Sequence, residues 1–563
     1  MNATPKAVAA FVSLQVQSSF QALPLGAACI ASAVKADPFL SGCVHPVLSD
    51  FCMESPQLAG KTAAEQGALI AESLASLLPN DGTPAAVGFS LYVWSRPALE
   101  AAARALSSLR PDILLFAGGP EVTSGIVASL KHPFRYLLSG EGESSAVALL
   151  TAWRKSESVS ESVLAPNRCV ATDPAKLSSP WLDGTLSACE GFSAHRGALW
   201  ELARGCPYSC SYCYESRGEK RIRAFPLERL EKELEHFTKN GVERVFVLDP
   251  TYNASRDRAL KLLDLIEKKT SGIHFHFEVR AELLDKDLVN AFSRIPCSLQ
   301  IGLQSSNPDV LKAVNRPSDL KTFSRRIAML NDSGVVFGLD LMYGLPGDTL
   351  SSFRTSLDYA ISLYPNNLEI FRLSVLPGTA LYDDASALGL VFQKDPPYSV
   401  ESTSKCAPQD LAKAASLARA CDVFYSQGRA VTWFLSLLRV LKLKPSQFFQ
   451  DFSAYLASSG DDGSREYSHA EAQAMQIEFC RTKLREKGKG SLENLMADIV
   501  ALNGAWTRAL AEGETSRLQL SWHPEDLFSG DAMDLEFFLE NVCMEACEVT
   551  VFPGPEGPDI EIE

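Results

Sequence analysis

At 563 residues the chain is too long for one ordinary domain, and two to four are expected. Its 53 Lys and Arg face 68 Asp and Glu, and the net charge of −15 argues against a nucleic-acid backbone as the main partner. Hydrophobic residues at 46% and charged residues at 21% describe a soluble globular chain, and no run of apolar residues is long enough for a membrane span.

In chain order, VAAFVSLQV (8–16) reads as a buried strand and LGAACIASAV (25–34) as a helix. AAVGFSLYVW (85–94) is a second strand, followed by helix ALEAAARALSSL (98–109). DILLFAGGP (112–120) and FRYLLSGEGE (134–143) are a third and a fourth. This alternation predicts a doubly wound parallel sheet over residues 1–155, with ligands at the C-terminal strand edge. Residues 156–195 are rich in Ser, Pro, Asp and Gly and read as a linker. From 196 to 395 strands alternate with helices again: ALWELARG, VERVFVLD, IHFHFEVR, SLQIGLQS, VVFGLDLMYG and NLEIFRLSVL. Six strands predict a partial (β/α)6 barrel with its chemistry at the C-terminal strand ends. Residues 396–563 read as a mostly helical extension with a strand-like end, CEVTVFPGPEGPDIEIE.

The absence of an export signal predicts a reducing, cytoplasmic setting for the fourteen cysteines, where clustered thiols are metal ligands or catalytic groups. Cys29, Cys43, Cys169, Cys297 and Cys421 stand alone and read as packing residues. Three others form RGCPYSCSYCYE (204–215), directly after the first barrel strand. A closed zinc site wants four ligands, usually as two pairs, and no second pair lies near. Cys206, Cys210 and Cys213 are instead suited to an iron–sulfur cube held by three thiolates, whose fourth iron can bind a small molecule.

The spacing Cys206-x3-Cys210-x2-Cys213 resembles the signature of the radical S-adenosylmethionine (SAM) superfamily, with Tyr212 as the aromatic residue before the third cysteine. VLDPTYN (247–253), FEVRAELL (277–284), IGLQSSN (301–307), LKAVNRPSD (311–319) and GLDLMYGLPGDT (338–349) look like successive segments of oxygen-independent coproporphyrinogen oxidase and its cobalamin-binding cousins. The resemblance implies a 4Fe-4S cluster on the three cysteines and S-adenosyl-L-methionine held by Tyr212, Asp249, Pro250, Thr251, Glu278, Gln304, Arg316 and Asp340. Carboxylates and amides suit its ribose hydroxyls and amino group, and an arginine suits its carboxylate. VLDPTYN lacks the paired glycines common at that motif.

AGGPEVT (117–123) and SGEGES (139–144) each follow a strand, and their glycines allow a bulky ligand to approach the backbone. Neither GxGxxG after the first strand nor GxxxxGK[ST] is present, which weakens a nucleotide reading. The first 155 residues resemble the Rossmann-like cobalamin-binding domain found ahead of many radical SAM cores. By that resemblance Ser90, Tyr92, Gly118, Gly119, Glu121, Gly140, Glu141 and Gly142 face cobalamin, which takes no histidine from the protein. Trp94 reads as packing. Trp433, Phe434, Phe448 and Phe449 read as core, a substrate lid being the alternative. Cys543 and Cys547 are four apart and could share a helix face.

The resemblance as a whole implies a cobalamin-dependent radical SAM enzyme. It would cleave SAM to a 5'-deoxyadenosyl radical and methylate an unactivated carbon of an unknown substrate, with electrons from a donor such as flavodoxin or ferredoxin. Radical oxidation, cyclisation or rearrangement without methyl transfer is a second reading, and a non-catalytic corrinoid or iron–sulfur sensor a third.

Overall fold

The computed structural model describes residues 6–159, 172–189, 195–217, 220–461, 463, 465–555 and 557–562. Cys169 and much of the expected linker lie outside the described residues. The chain divides into two compact units, Met1–Ser298 with Val314–Arg316 and Ser374–Val400, and Leu299–Ala313 with Pro317–Leu373 and Glu401–Glu563.

The first unit opens with β1 (Ala7–Gln15), α1 (Leu25–Ala36), β2 (Val44–Cys52), α2 (Ala63–Leu77), β3 (Ala85–Ser90), α3 (Arg96–Leu109), β4 (Leu114–Gly118), β5 (Tyr136–Leu138) and α4 (Gly142–Lys155). The strands form one sheet in the order β2-β1-β3-β4-β5, with every pairing parallel. Both faces of the sheet are buried: Val12, Val87, Phe89 and Leu115 pack with α2 and α3, while Phe11, Ala86 and Phe116 pack with α1 and α4. Hence the near-continuous apolar strands, since a parallel sheet is covered on both sides. The order reverses between β1 and β3, so the crevice outside the strand ends opens there. β2 and α2 are additions to the sequence reading. Helix α2 has a capping box, with Thr62 Oγ1 accepting from the Glu65 amide at 3.3 Å and the Glu65 carboxylate accepting from the Thr62 amide at 2.9 Å.

The same unit continues with β6 (Gly197–Trp200), β7 (Ala203–Arg204), β8 (Arg223–Ala224), α5 (Leu227–Lys239), β9 (Arg244–Val247), α6 (Arg256–Lys269), β10 (His274–Val279) and α7 (Lys286–Phe292). β6, β9 and β10 pair in parallel. The stretch expected as one strand, ALWELARG, breaks after Trp200. Asp249 takes the Leu202 and Ala203 amides at 2.9 Å each, so those donors leave the ladder and the chain bends toward the cysteines.

The second unit contains β11 (Cys297–Gln304, its first two residues lying in the first unit), α8 (Pro308–Ala313), α9 (Leu320–Asp332), β12 (Val336–Tyr343), α10 (Leu350–Ser362) and β13 (Asn367–Arg372). β12 and β13 are parallel, with Asp340 opposite Glu369. Helix Pro408–Cys421 then runs into a single π-helical turn, Asp422–Gln427. Ser426 of that turn donates to the Leu368 carbonyl and accepts the Leu368 amide, both at 3.1 Å, and so covers the backbone of β13.

Phe424 lies among Trp433, Phe434, Phe448, Phe449, Phe452 and Phe479, all buried, with ring centroids 4.8–6.5 Å away. These aromatics are a core. The terminal strand-like section is a hairpin, Cys547–Gly554 with Gly557–Ile562, added to Ser516–Leu520 in an antiparallel sheet. Cys543 follows a helix that ends at Asn541 and is exposed, whereas Cys547 begins a strand with its thiol 3.7 Å from the Trp522 carbonyl; the two share no helix face.

Candidate active site

The cysteine loop leaves β7 and is anchored by backbone bonds: the Ser211 amide donates to the Val314 carbonyl at 3.0 Å and the Leu381 amide to the Ser211 carbonyl at 2.9 Å. Asn315 donates to the Ser209 carbonyl at 2.7 Å from a left-handed backbone, φ +53. Cys206 and Cys210 are buried and Cys213 half-buried. Burial pushes the Cys213 thiol up to about 11, the Glu215 amide opposes this, and the charges of Glu215, Cys210 and Cys206 push further. The charges of Cys206 and Cys210 thus reach the Cys213 sulfur. Among the described residues no three His, Cys, Asp or Glu group as ligands of a single metal ion.

Two guanidinium groups border the loop. Arg316 Nη1 is 3.8 Å from the Cys210 sulfur. Arg280 is buried with its guanidinium 3.9 Å from the centre of the Tyr208 ring, a residue between the first two cysteines. Tyr212 feels burial first, which raises its phenol, and Arg316 next, which lowers it. Cationic donors beside a thiolate stabilise its charge, so the loop suits an anionic cluster.

Thr251 Oγ1 is 4.0 Å from the Cys206 sulfur and donates to the Pro250 carbonyl at 2.7 Å. Asn253 clamps this loop to the end of β10: its amide donates to the Arg280 carbonyl at 2.9 Å, and its oxygen accepts the Arg280 amide at 3.0 Å. Asp249, expected near the methionyl amino group, is 7% exposed and holds the bend before the cysteines; burial raises its carboxyl to about 7 against those two amide bonds. Glu278 is exposed at the end of β10. The structure thus brings Tyr212, Thr251 and Arg316 to the cysteines and gives Asp249 a structural duty. In the second unit, Gln304 ends β11 with φ +67 and a buried Oε1 that has no partner among the described residues. A non-glycine residue held in that conformation with an orphan acceptor is a candidate ligand position. Asp340, on β12, accepts from Gln300.

At the edge of the N-terminal sheet, Gly119 has φ +100, and a Cβ there would lie 2.7 Å from the Leu91 carbonyl, so only glycine makes this turn. Gly140 also has a positive φ, +81, and donates to Thr123 Oγ1 at 2.9 Å. Gly142 starts α4 against Ile30. Ser90 ends β3 with its carbonyl on the Ser95 hydroxyl at 3.1 Å. Tyr92 stacks on Trp94 at 4.7 Å, and Trp94 donates to the Leu14 carbonyl at 3.0 Å while staying 42% exposed. Backbone bare of side chains at Gly118, Gly119 and Gly140, at the C-terminal edge of the sheet, suits a ligand that lies close to the main chain.

Both turns touch the cysteine-bearing strip. Arg204, two residues before Cys206, pairs with Glu143 at 2.7 Å, Glu201 at 2.8 Å and Glu141 at 3.3 Å, and Arg223 also pairs with Glu141. Tyr214, after Cys213, donates to the Pro120 carbonyl at 3.1 Å. Sequence reasoning missed Arg204, Tyr214, Tyr208 and Arg280; only their places beside the cysteines and at a strand end could have flagged them.

These features define an α/β protein with a cysteine-anchored site at parallel strand ends. Residues 200–360 match the model of the Radical SAM superfamily. Among curated relatives, the 2-(S-pantetheinyl)-carbapenam-3-carboxylate methyltransferase of Streptantibioticus cattleyicolor is 26% identical over 62% of this chain and 55% of its own length. The cobalamin-dependent radical SAM methyltransferase TokK of Streptomyces tokunonensis is 28% identical over 53% of this chain and 48% of its own. The chain thus spans about half the length of these relatives, 55% and 48%.

Among solved structures, the cobalamin-dependent S-adenosylmethionine radical enzyme OxsB with aqua-cobalamin and S-adenosylmethionine bound aligns at TM-score 0.55 and 13% identity, covering 85% of this chain and 80% of that one. The radical S-adenosylmethionine methyltransferase TsrM from Kitasatospora setae, with cobalamin and a 4Fe-4S cluster bound, aligns at TM-score 0.55 and 14% identity over 70% and 78%. These likenesses show the fold. Among the described residues no helix is long and apolar enough to cross a membrane.

Proposed function

We propose that this chain is a cytoplasmic, cobalamin-dependent radical SAM methyltransferase acting on an unactivated carbon. The observation that carries the reading is the convergence, inside one unit, of Cys206, Cys210 and Cys213 with Arg316 and with the two glycine-rich turns of the N-terminal sheet. The methyltransferase names of the two curated relatives support the same class. Cys206, Cys210 and Cys213 would hold the 4Fe-4S cluster, and the turns at Gly118–Gly119 and Gly140–Gly142, with Tyr92, would face the corrin. When bound, the cluster supplies the electron that splits SAM, and cobalamin carries the methyl group.

The chain's own part is positioning and shielding. Arg316 offers a guanidinium to an anionic group next to Cys210. Thr251 sits at Cys206, and Asn253 keeps its loop docked on β10. Glu278 carries a carboxylate at the end of β10. Within the second unit taken by itself, Gln304 holds a carbonyl oxygen with no partner among the described residues, and Asp340 holds a carboxylate on β12. Hydrogen abstraction asks for no general base, so the site needs no catalytic dyad.

The test is product analysis of anaerobically reconstituted, reduced protein given SAM, hydroxocobalamin and candidate substrates. S-adenosylhomocysteine together with 5'-deoxyadenosine is the expected pair. 5'-Deoxyadenosine alone would replace methylation by another radical reaction, and neither product would overturn the proposal.

A further inference from the structure

Each glycine-rich turn is followed by an acid, and the structure engages both acids internally. Glu141 is paired with Arg204 and Arg223. Glu121, 4% exposed, accepts the Tyr398 hydroxyl at 2.6 Å and pairs with Arg96 Nε at 2.8 Å. Arg96 also donates to the Tyr398 oxygen at 3.1 Å and faces Glu100 at 3.6 Å. Tyr398 reaches this place from a left-handed backbone, φ +58, and is 1% exposed. It belongs to the segment Ser374–Val400, which lies in the same unit as the N-terminal sheet.

The turn that carries Glu121 is also gripped by the cysteine loop. The Tyr214 hydroxyl, one residue after Cys213, donates to the carbonyl of Pro120, one residue before Glu121. The segment carrying Tyr398 passes close by: a Cβ on Gly378 would lie 3.0 Å from Ser124 Cα and 3.4 Å from the Tyr214 ring. The backbone ties this turn to the segment after β3 through the Glu121 amide, which donates to the Leu91 carbonyl at 3.1 Å, and the contacts of Tyr398 and Tyr214 add to that tie. A hydroxyl-to-carboxylate bond in a buried setting is among the stronger contacts available for that purpose.

We infer that Tyr398, Glu121 and Arg96 form a latch that positions the turn after β4 against Tyr214, so that this turn and the cysteine loop hold one mutual geometry. Glu121 is thereby a positioning residue and no ligand of a cofactor. The latch rests on the two-cofactor reading only for its spectroscopic consequence.

The experiment compares hydrogen exchange, read by mass spectrometry, in the anaerobically reconstituted protein and its Tyr398→Phe and Tyr214→Phe variants. Removing a hydrogen bond to a charged group should speed local opening about tenfold to a hundredfold. For Tyr398→Phe the faster exchange should appear in residues 117–124 and also in 206–215, remote from the substitution in sequence. Tyr214→Phe should speed 117–124 while leaving 395–400 unchanged. In the reduced protein the Tyr398→Phe substitution should also shift the electron paramagnetic resonance signal of the cluster at unchanged iron content. Faster exchange confined to 395–400, with the cluster signal unmoved, would overturn the latch. Should Tyr398→Phe fail to fold, Tyr214→Phe decides by itself: unchanged exchange at 117–124 refutes the proposal. If the wild-type protein takes up no hydroxocobalamin, the cofactor reading fails separately, and the exchange comparison still decides the latch.

Discussion

Replacing Asp249 by asparagine should make the protein more stable at neutral pH, and the gain should vanish in acid. Burial is the main cause that carries this carboxyl from 3.8 to about 7; the Leu202 and Ala203 amides pull it back, and the charge of Glu201 pushes it further up. The shift corresponds to about 4 kcal/mol between the two protonation states. As pH rises, the unfolded chain gives up this proton near 3.8, whereas the folded chain keeps it until about 7. Wild-type stability from this group is therefore complete below the lower value, falls between the two and is level above the upper. Asparagine keeps a carbonyl oxygen for the two amides, 2.9 Å away in the wild type, and does not titrate. The difference in unfolding midpoint, variant minus wild type, should grow from about pH 4 to about pH 7 and then flatten. Asp249→Ala is the control: it leaves two buried amides without an acceptor, at about 1–3 kcal/mol each. A difference that does not change with pH would refute the reasoning.

Cys210→Ala should remove the iron while leaving hydroxocobalamin uptake, followed by absorbance, largely intact; joint loss would contradict the division of labour between the cysteine loop and the N-terminal turns. Phe424→Ala should cost about 3–5 kcal/mol, seen as a lower unfolding transition by calorimetry, because the ring sits among six other buried aromatics. A loss under about 1 kcal/mol would show that this cluster is no core.

The parallel sheet and the cysteine loop could be read from the sequence because their signals are local. Buried strands are short apolar runs, and the triplet spacing of Cys206, Cys210 and Cys213 occupies one loop. β2 escaped because VHPVLSDFC is a half-exposed edge strand with a broken apolar pattern, although the Thr62 and Glu65 capping signal for α2 was present. Folding ALWELARG into one strand overlooked Asp249, which acts on Leu202 from 47 positions away. Glu121 and Glu141 looked like ligand-facing acids because a sequence shows the glycines beside them and hides the partners. Glu121 meets Tyr398 across 277 positions, and Arg204 meets Glu143 across 61. Such pairings depend on tertiary contact alone, and no periodicity announces them.

The claim on which the account turns is an iron–sulfur cluster anchored by three cysteines with one iron left for SAM. The most direct measurement is metal analysis of the anaerobically reconstituted protein, combined with electron paramagnetic resonance of its reduced form before and after adding SAM. About four irons per chain and a signal that changes on adding SAM are predicted. Zinc in place of iron, or a cluster signal indifferent to SAM, would contradict it.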